Sequence, residues 1–159
     1  MLNVDFDTTM SGVLNIDVEE DMAKSAAEGT HFTGTVTLDP QEDEEVEKYA
    51  DKIVAVGVGN ITATVITVSK SDVIVMKGSE VIVTSKGKTD AKYILPDEWS
   101  IVVGNSFQLE NQDGFYGEVD AILKDVNPFT IDMDGYSSVS GVTIGLKFSI
   151  DATVTGSPF

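Results

Sequence analysis

Val142-Thr143-Ile144-Gly145-Leu146-Lys147-Phe148-Ser149-Ile150-Asp151-Ala152-Thr153-Val154 decides the fold class. Apolar side chains hold one parity of this stretch, and threonine, glycine, lysine, serine and aspartate hold the other. An unbroken period of two is a long, half-buried β-strand, because successive side chains leave opposite faces of the pleat. A second stretch of this kind lies at the other end of the chain. Val4, Phe6, Thr8, Met10, Gly12, Leu14, Ile16 and Val18 share one parity. Asn3, Asp5, Asp7, Thr9, Ser11, Asn15, Asp17 and Glu19 take the other, with Val13 the one apolar exception. Two long amphipathic strands at opposite ends of a chain imply one core that each covers from one side.

Between them the pattern is mostly that of shorter strands. Residues 20–29 are polar and aperiodic, which predicts an irregular connection. Phe32, Gly34, Val36 and Leu38 alternate with His31, Thr33, Thr35 and Thr37. A helix follows, with Asp39 as N-cap, Pro40 in the first turn and Glu42 as the acid of a capping box. Its apolar face is Val46, Tyr49, Ala50 and Ile53. The acids Glu42, Asp43, Glu44 and Glu45 complement the positive end of the helix dipole, so a structural role accounts for them without a metal.

Residues 53–68 are the most apolar run, and its parity slips at Gly59-Asn60, which predicts a bulge or a bend. Residues 72–76 and 80–85 read as a hairpin around Lys77-Gly78-Ser79. Lys70, Lys77, Lys86, Lys88 and Lys92 gather here, where edge lysines block aggregation between sheets. Residues 91–95 form a short strand, and Gly104-Asn105 breaks the strand of residues 100–109. Val119, Ile122 and Leu123 mark a late helix with Asp113 as a candidate cap, and Asp134-Gly135 reads as the turn into the last strand. Many short strands and two helices predict an all-β antiparallel β-sandwich, immunoglobulin-like, in a single domain over residues 1–159.

Composition narrows the functional classes. The net charge is −17, from 10 cations against 27 acids, and every cation is lysine. Without arginine the chain lacks the planar fork that grips phosphate, and its charge repels nucleic acid and anionic membranes. There is no cysteine, which removes thiolate catalysis and zinc–thiolate sites. Met1-Leu2-Asn3-Val4-Asp5 has neither the basic nor the apolar segment of a signal peptide, and no run reaches membrane-spanning length.

The order of parts is also familiar. A long alternating N-terminal strand leads to Asp39-Pro40 and an acidic helix ending Tyr49-Ala50-Asp51-Lys52-Ile53. A Thr/Val-rich strand pair and a late helix follow, and the chain closes Asp151-Ala152-Thr153-Val154-Thr155-Gly156-Ser157-Pro158-Phe159. This resembles small all-β proteins exported to the cell envelope of Bacteroidetes, often as lipoproteins. The resemblance implies an envelope or secreted location after signal removal, with a cytoplasmic one as the alternative. It supplies no catalytic motif.

The residues themselves carry little catalytic chemistry. His31 is the only histidine and lies on the polar parity of its strand. Gly135-Tyr136-Ser137-Ser138-Val139 lacks the closing glycine of a nucleophile elbow, and Gly57-Val58-Gly59 lacks the third glycine of a phosphate loop. For metals, Asp132 and Asp134 open like a calcium loop and could be completed by Asp113 or Asp125; a plain Asp-Gly turn is the alternative. No other cofactor is indicated. For ligands, Trp99 and the pair Phe115-Tyr116, with Asp97 and Asp113, form a candidate glycan site, since sugars stack on exposed rings beside carboxylates. The alternative is that Trp99 and Phe115 plug the ends of the fold. The resulting expectation is a non-enzymatic binding or adhesion module of a bacterial envelope, with a glycan or protein ligand. Two alternatives stand beside it: a carbohydrate-active enzyme using surface carboxylates, and a structural assembly subunit that pairs through strand edges.

Overall fold

A computed structural model describes residues 2–20, 24–25 and 29–157. Its strands are β1 (Val4–Val18), β2 (Lys24–Ser25), β3 (Gly29–Leu38), β4 (Ile53–Val68), β5 (Val73–Val75) and β6 (Glu80–Thr84). They continue with β7 (Ala91–Ile94), β8 (Trp99–Ile101), β9 (Ser106–Gln108), β10 (Phe129–Ser137) and β11 (Val142–Gly156). The two α-helices are α1 (Glu44–Lys48) and α2 (Phe115–Leu123). Residues 21–23 and 26–28 of the irregular connection expected over 20–29 lie outside the described residues.

The all-β antiparallel expectation holds. The strands form one 11-stranded sheet in the order β7-β6-β10-β3-β1-β11-β4-β9, with β2 on β3, and β5 bridging β10 to β8. That sheet curls into a half-barrel, where two separately bonded sheets of an immunoglobulin-like sandwich were expected. Curling is a consequence of irregular pairing between long strands. The β11–β4 register shifts at Gly145/Leu146, Asp151/Ala152 and Thr155/Gly156, and each extra residue bends and twists its strand. The second shift leaves Gly59 unpaired between Val58 and Asn60, at the parity slip read from the sequence.

The two terminal strands are neighbours. β1 pairs with β11 without a slip from Val4↔Gly156 to Val18↔Val142, so their apolar parities share one face. Leu14, Leu146, Phe148 and Ile150 are fully buried, while Asp151 is exposed. α2 packs Phe115, Val119, Ile122 and Leu123 into the same core.

Several local readings are corrected. The helix expected from Asp39 to Ile53 is broken into a 3₁₀ turn (Pro40–Glu42), α1 and a second 3₁₀ turn (Ala50–Lys52). Asp39 caps the first piece, its carboxylate accepting from Gln41 N. Asp43 is a second cap, with extended backbone, accepting from Glu45 N and Val46 N, and this interrupts the helix. The hairpin expected around Lys77-Gly78-Ser79 is not one: β5 and β6 follow each other along the same edge of β10. Asp134-Gly135 is mid-strand in β10 and not a turn; Gly135 is there because buried Ser79 crosses over it. Asp113 does not cap α2, whose Tyr116 N–H instead donates to Asn111 Oδ1 at 2.9 Å.

Asp43 ties α1 to the sheet, since the Thr8 hydroxyl donates to its other carboxylate oxygen. That hydrogen bond, ahead of the opposing effect of burial, holds the Asp43 carboxyl below its ordinary value, with the Val46 and Glu45 amides adding to it. A depressed carboxylate contributes stability above its unfolded pKa of about 3.9 and loses it as pH falls through the folded value. Asp43→Ala is therefore expected to cost about 0.5–2 kcal/mol at neutral pH. The gap to wild type should narrow below about pH 4 in denaturant titrations. A gap as wide at pH 3 as at pH 7 would show that the carboxylate charge is not what holds the cap.

Candidate functional site

β8 and β9 flank a turn whose Gly104 has a φ of +95°, a conformation glycine adopts freely. Asn105 N donates to Val102 O, and Asn105 Nδ2 to Ser100 O, both at 2.9 Å. The two strands are nonetheless not bonded to each other as a ladder: β8 pairs with β5, and β9 pairs with β4. What fills the seam is a pair of rings. Trp99 and Phe107 stack with centroids 4.6 Å apart and planes 4° from parallel.

The backbone polarity of β9 follows from its contacts to β4. Val65 N donates to Asn105 O, and Leu109 N to Ile61 O. Alternation then turns the amide and carbonyl of Phe107 towards β4 and those of Ser106 and Gln108 outwards. Among the described residues no partner meets those outward groups. A groove of about 440 Å³ runs along this edge, lined by Tyr93, Pro96, Asp97, Glu98, Trp99, Ser106, Phe107, Gln108 and Glu110. Tyr93 and Trp99 lie beneath it, Phe107 is half-buried, and Asp97, Glu98 and Glu110 are exposed. Burial pushes the Tyr93 phenol above its ordinary value, against a lowering hydrogen bond with the Glu110 backbone, and the charges of Glu110 and Asp97 add to the rise.

The structure separates the residues expected to form one ligand site. Asp97 and Trp99 line the groove, whereas Phe115, Tyr116 and Asp113 do not. Trp99 is only 6% exposed and Phe115 fully buried, so neither offers the free ring face that sugar stacking needs. Phe115 packs on Tyr93 at 5.6 Å, and the half-buried Tyr116 donates its hydroxyl to Leu109 O at 2.6 Å. Asp113 is exposed, with φ of 49°, in the 3₁₀ turn leading into α2. Phe107 was missed. The available signal was its position: Trp99 and Phe107 are equidistant from Val103, as partners across a turn would be.

The calcium loop expected at Asp132 and Asp134 is a strand. Both carboxylates point off the solvent side of β10, where Asp134 meets His31 Nε2 at 2.8 Å and Asp132 receives the Thr130 hydroxyl at 3.5 Å. Asp125 is bound instead to Lys88 Nζ at 2.8 Å. Among the described residues, no three acidic or histidine side chains converge as a metal ion would require. No helix among them is long and apolar enough to cross a membrane. The acids Asp39, Glu42 and Asp43 line a smaller depression of about 230 Å³, and two of them serve there as caps.

No family model matches the chain, and no curated protein does. Solved structures similar to it include Mud crab tombus-like virus, at 9% identity and TM-score 0.45, covering 100% of this chain and 84% of that one. The decameric BFDV capsid protein is similar at 8% identity and TM-score 0.42, covering 95% and 99%. Turnip Yellow Mosaic Virus follows at 9% identity and TM-score 0.33, covering 96% and 94%. The expected role as a binding or adhesion module of a bacterial envelope is corrected here. Trp99 and Phe115 are buried, and the ring face on which the glycan site depended is covered by Phe107.

Proposed function

We propose that the chain is a non-catalytic structural subunit that joins its neighbours by strand pairing at the outer edge of β9. The observation that supports this is a difference between edges. At β7, the Gln112 carboxamide occupies Ile94, accepting from its N–H at 2.9 Å and donating to its carbonyl at 2.8 Å. On β4, the Asp120 carboxylate accepts from Val58 N at 2.7 Å. Side chains of α2 and its lead-in thus each meet the outward backbone of one residue on two other edges. β9 has no such cover, and an unpaired row of amides and carbonyls is a template for another strand.

The surroundings fit association. Val102 and Val103, in the turn between β8 and β9, are 54% and 60% exposed, an apolar tip beside the open edge. Neither valine contributes to the core, so burial against a neighbour is the use their chemistry favours.

Gln108→Pro tests the reading, because it removes one outward amide and leaves the backbone groups bonded to β4 in place, and Gln108→Ala, which loses only the side-chain bond to Asn60 Oδ1, is its control. Sedimentation velocity at moderate salt should show wild type in reversible exchange with species heavier than the 17.0 kDa monomer. The proline variant should remain a monomer. Wild type that stays monomeric at every concentration and salt tried would end the proposal.

A further inference from the structure

We infer that the neighbour at this edge is a second copy of the same chain, whose lysine-bearing β6–β7 turn enters the groove along β9. The inference rests on the reading of β9 as the joining edge and adds the identity of the occupant.

Charge complementarity supports it. The groove carries Asp97, Glu98 and Glu110 on its rim and no cation. Its occupant must bring positive charge, since a neutral or acidic segment would desolvate three carboxylates without compensation. In a chain with 10 lysines against 27 acids, cations are scarce, and Lys86 and Lys88 share one tight turn. Gly87, with a φ of +79°, forms that turn, and Lys88 N closes it onto Ser85 O at 3.1 Å. Lys88 is anchored to Asp125 at 2.8 Å, which fixes the turn's position. Lys86 is exposed, and no partner meets it among the described residues. One fixed lysine and one free lysine on a rigid turn form a ready counterpart to an acidic rim.

The two surfaces do not satisfy each other within one molecule. Although Tyr93 of the groove lies in β7 itself, no ion pair among the described residues joins Lys86 or Lys88 to Asp97, Glu98 or Glu110; Lys88 is held by Asp125 and Lys92 by Glu80. Contact is therefore between copies and head to tail, which leaves a joined pair with one free turn and one free groove and propagates into a ring or a fibre. Salt dependence follows from the charges. The net −17 repels copies at long range, and screening relieves that first. The short lysine–carboxylate contacts give way at higher ionic strength, so association should pass through a maximum at intermediate salt.

A charge exchange tests the inference by sedimentation equilibrium. Lys86→Glu, and separately the double variant Asp97→Lys with Glu98→Lys, should each weaken self-association about five- to tenfold. All three positions are exposed, so folding is preserved, which circular dichroism verifies. Mixing the two variants should restore association, because each now supplies the surface the other lacks. Association that persists in both variants but is lost in Gln108→Pro would overturn the lysine-turn assignment and leave the β9 edge standing. Mixed variants that remain apart while each folds would also overturn it. No association of wild type at any salt would remove both this inference and the reading on which it rests.

Discussion

Phe148→Ala should lower the unfolding free energy by about 3–5 kcal/mol, a large part of the stability of a domain of this size. Phe148 is fully buried in β11, with Gly12 opposite it in β1 and Ala63 opposite it in β4. A large ring thus fills space that two minimal neighbours leave open. Gly12 has no room for a side chain of its own, since a Cβ there would meet Leu38 Cδ2 at 2.5 Å. Because three paired strands hold these backbones, the space left by the ring cannot close, and the cavity adds to the lost transfer free energy. Urea titration should show a lower midpoint with an unchanged slope. An unchanged midpoint would mean that the parity of β11 is opposite to the one described.

Gly135→Ala should cost about 1–3 kcal/mol from overpacking. A Cβ at this position would lie 2.2 Å from Ser79 Oγ, 2.4 Å from its Cβ and 3.2 Å from its Cα. Ser79 is only 3% exposed and cannot swing aside, and its Oγ accepts from Tyr136 N at 3.2 Å. Displacing that hydroxyl loses a hydrogen bond worth about 1 kcal/mol as well. Ser79→Gly should relieve the clash, so the double variant is expected to be more stable than the sum of the single changes allows. Strict additivity would show that the two residues do not touch.

Long elements were legible where one face is wet and the other dry. β1 and β11 alternate because solvent covers one side, and parity alone places Met10 and Ile150 on the buried face, whereas their pairing and its register appear only in the structure. Bulges were legible where parity slips, as at Gly59. Glycines misled where their reason is distant in sequence. Gly135 reads locally as a turn, yet it serves close passage of Ser79 from the connection between β5 and β6. The pairing of β5 and β6 with β10 is non-local, so the residues between them look like a hairpin to any reading confined to neighbours.

The site was legible in part. Asp97 and Trp99 do border the groove, but the burial of Trp99 depends on Phe107, whose place is set by the β4–β9 pairing. The open edge itself leaves no mark in composition. Edge status depends on which strands pair, and here on Gln112 and Asp120 reaching two other edges from α2 and its lead-in.

Amide hydrogen exchange across β9 tests the central claim most directly, because it reads the edge residue by residue. In dilute protein, Ser106 and Gln108 should exchange fast, while Phe107 and Leu109, facing β4, are protected. Raising the protein concentration at moderate salt should slow Ser106 and Gln108 selectively. Protection of those two amides already in the dilute monomer, or their continued fast exchange in the associated state, would contradict the open edge as the joining site.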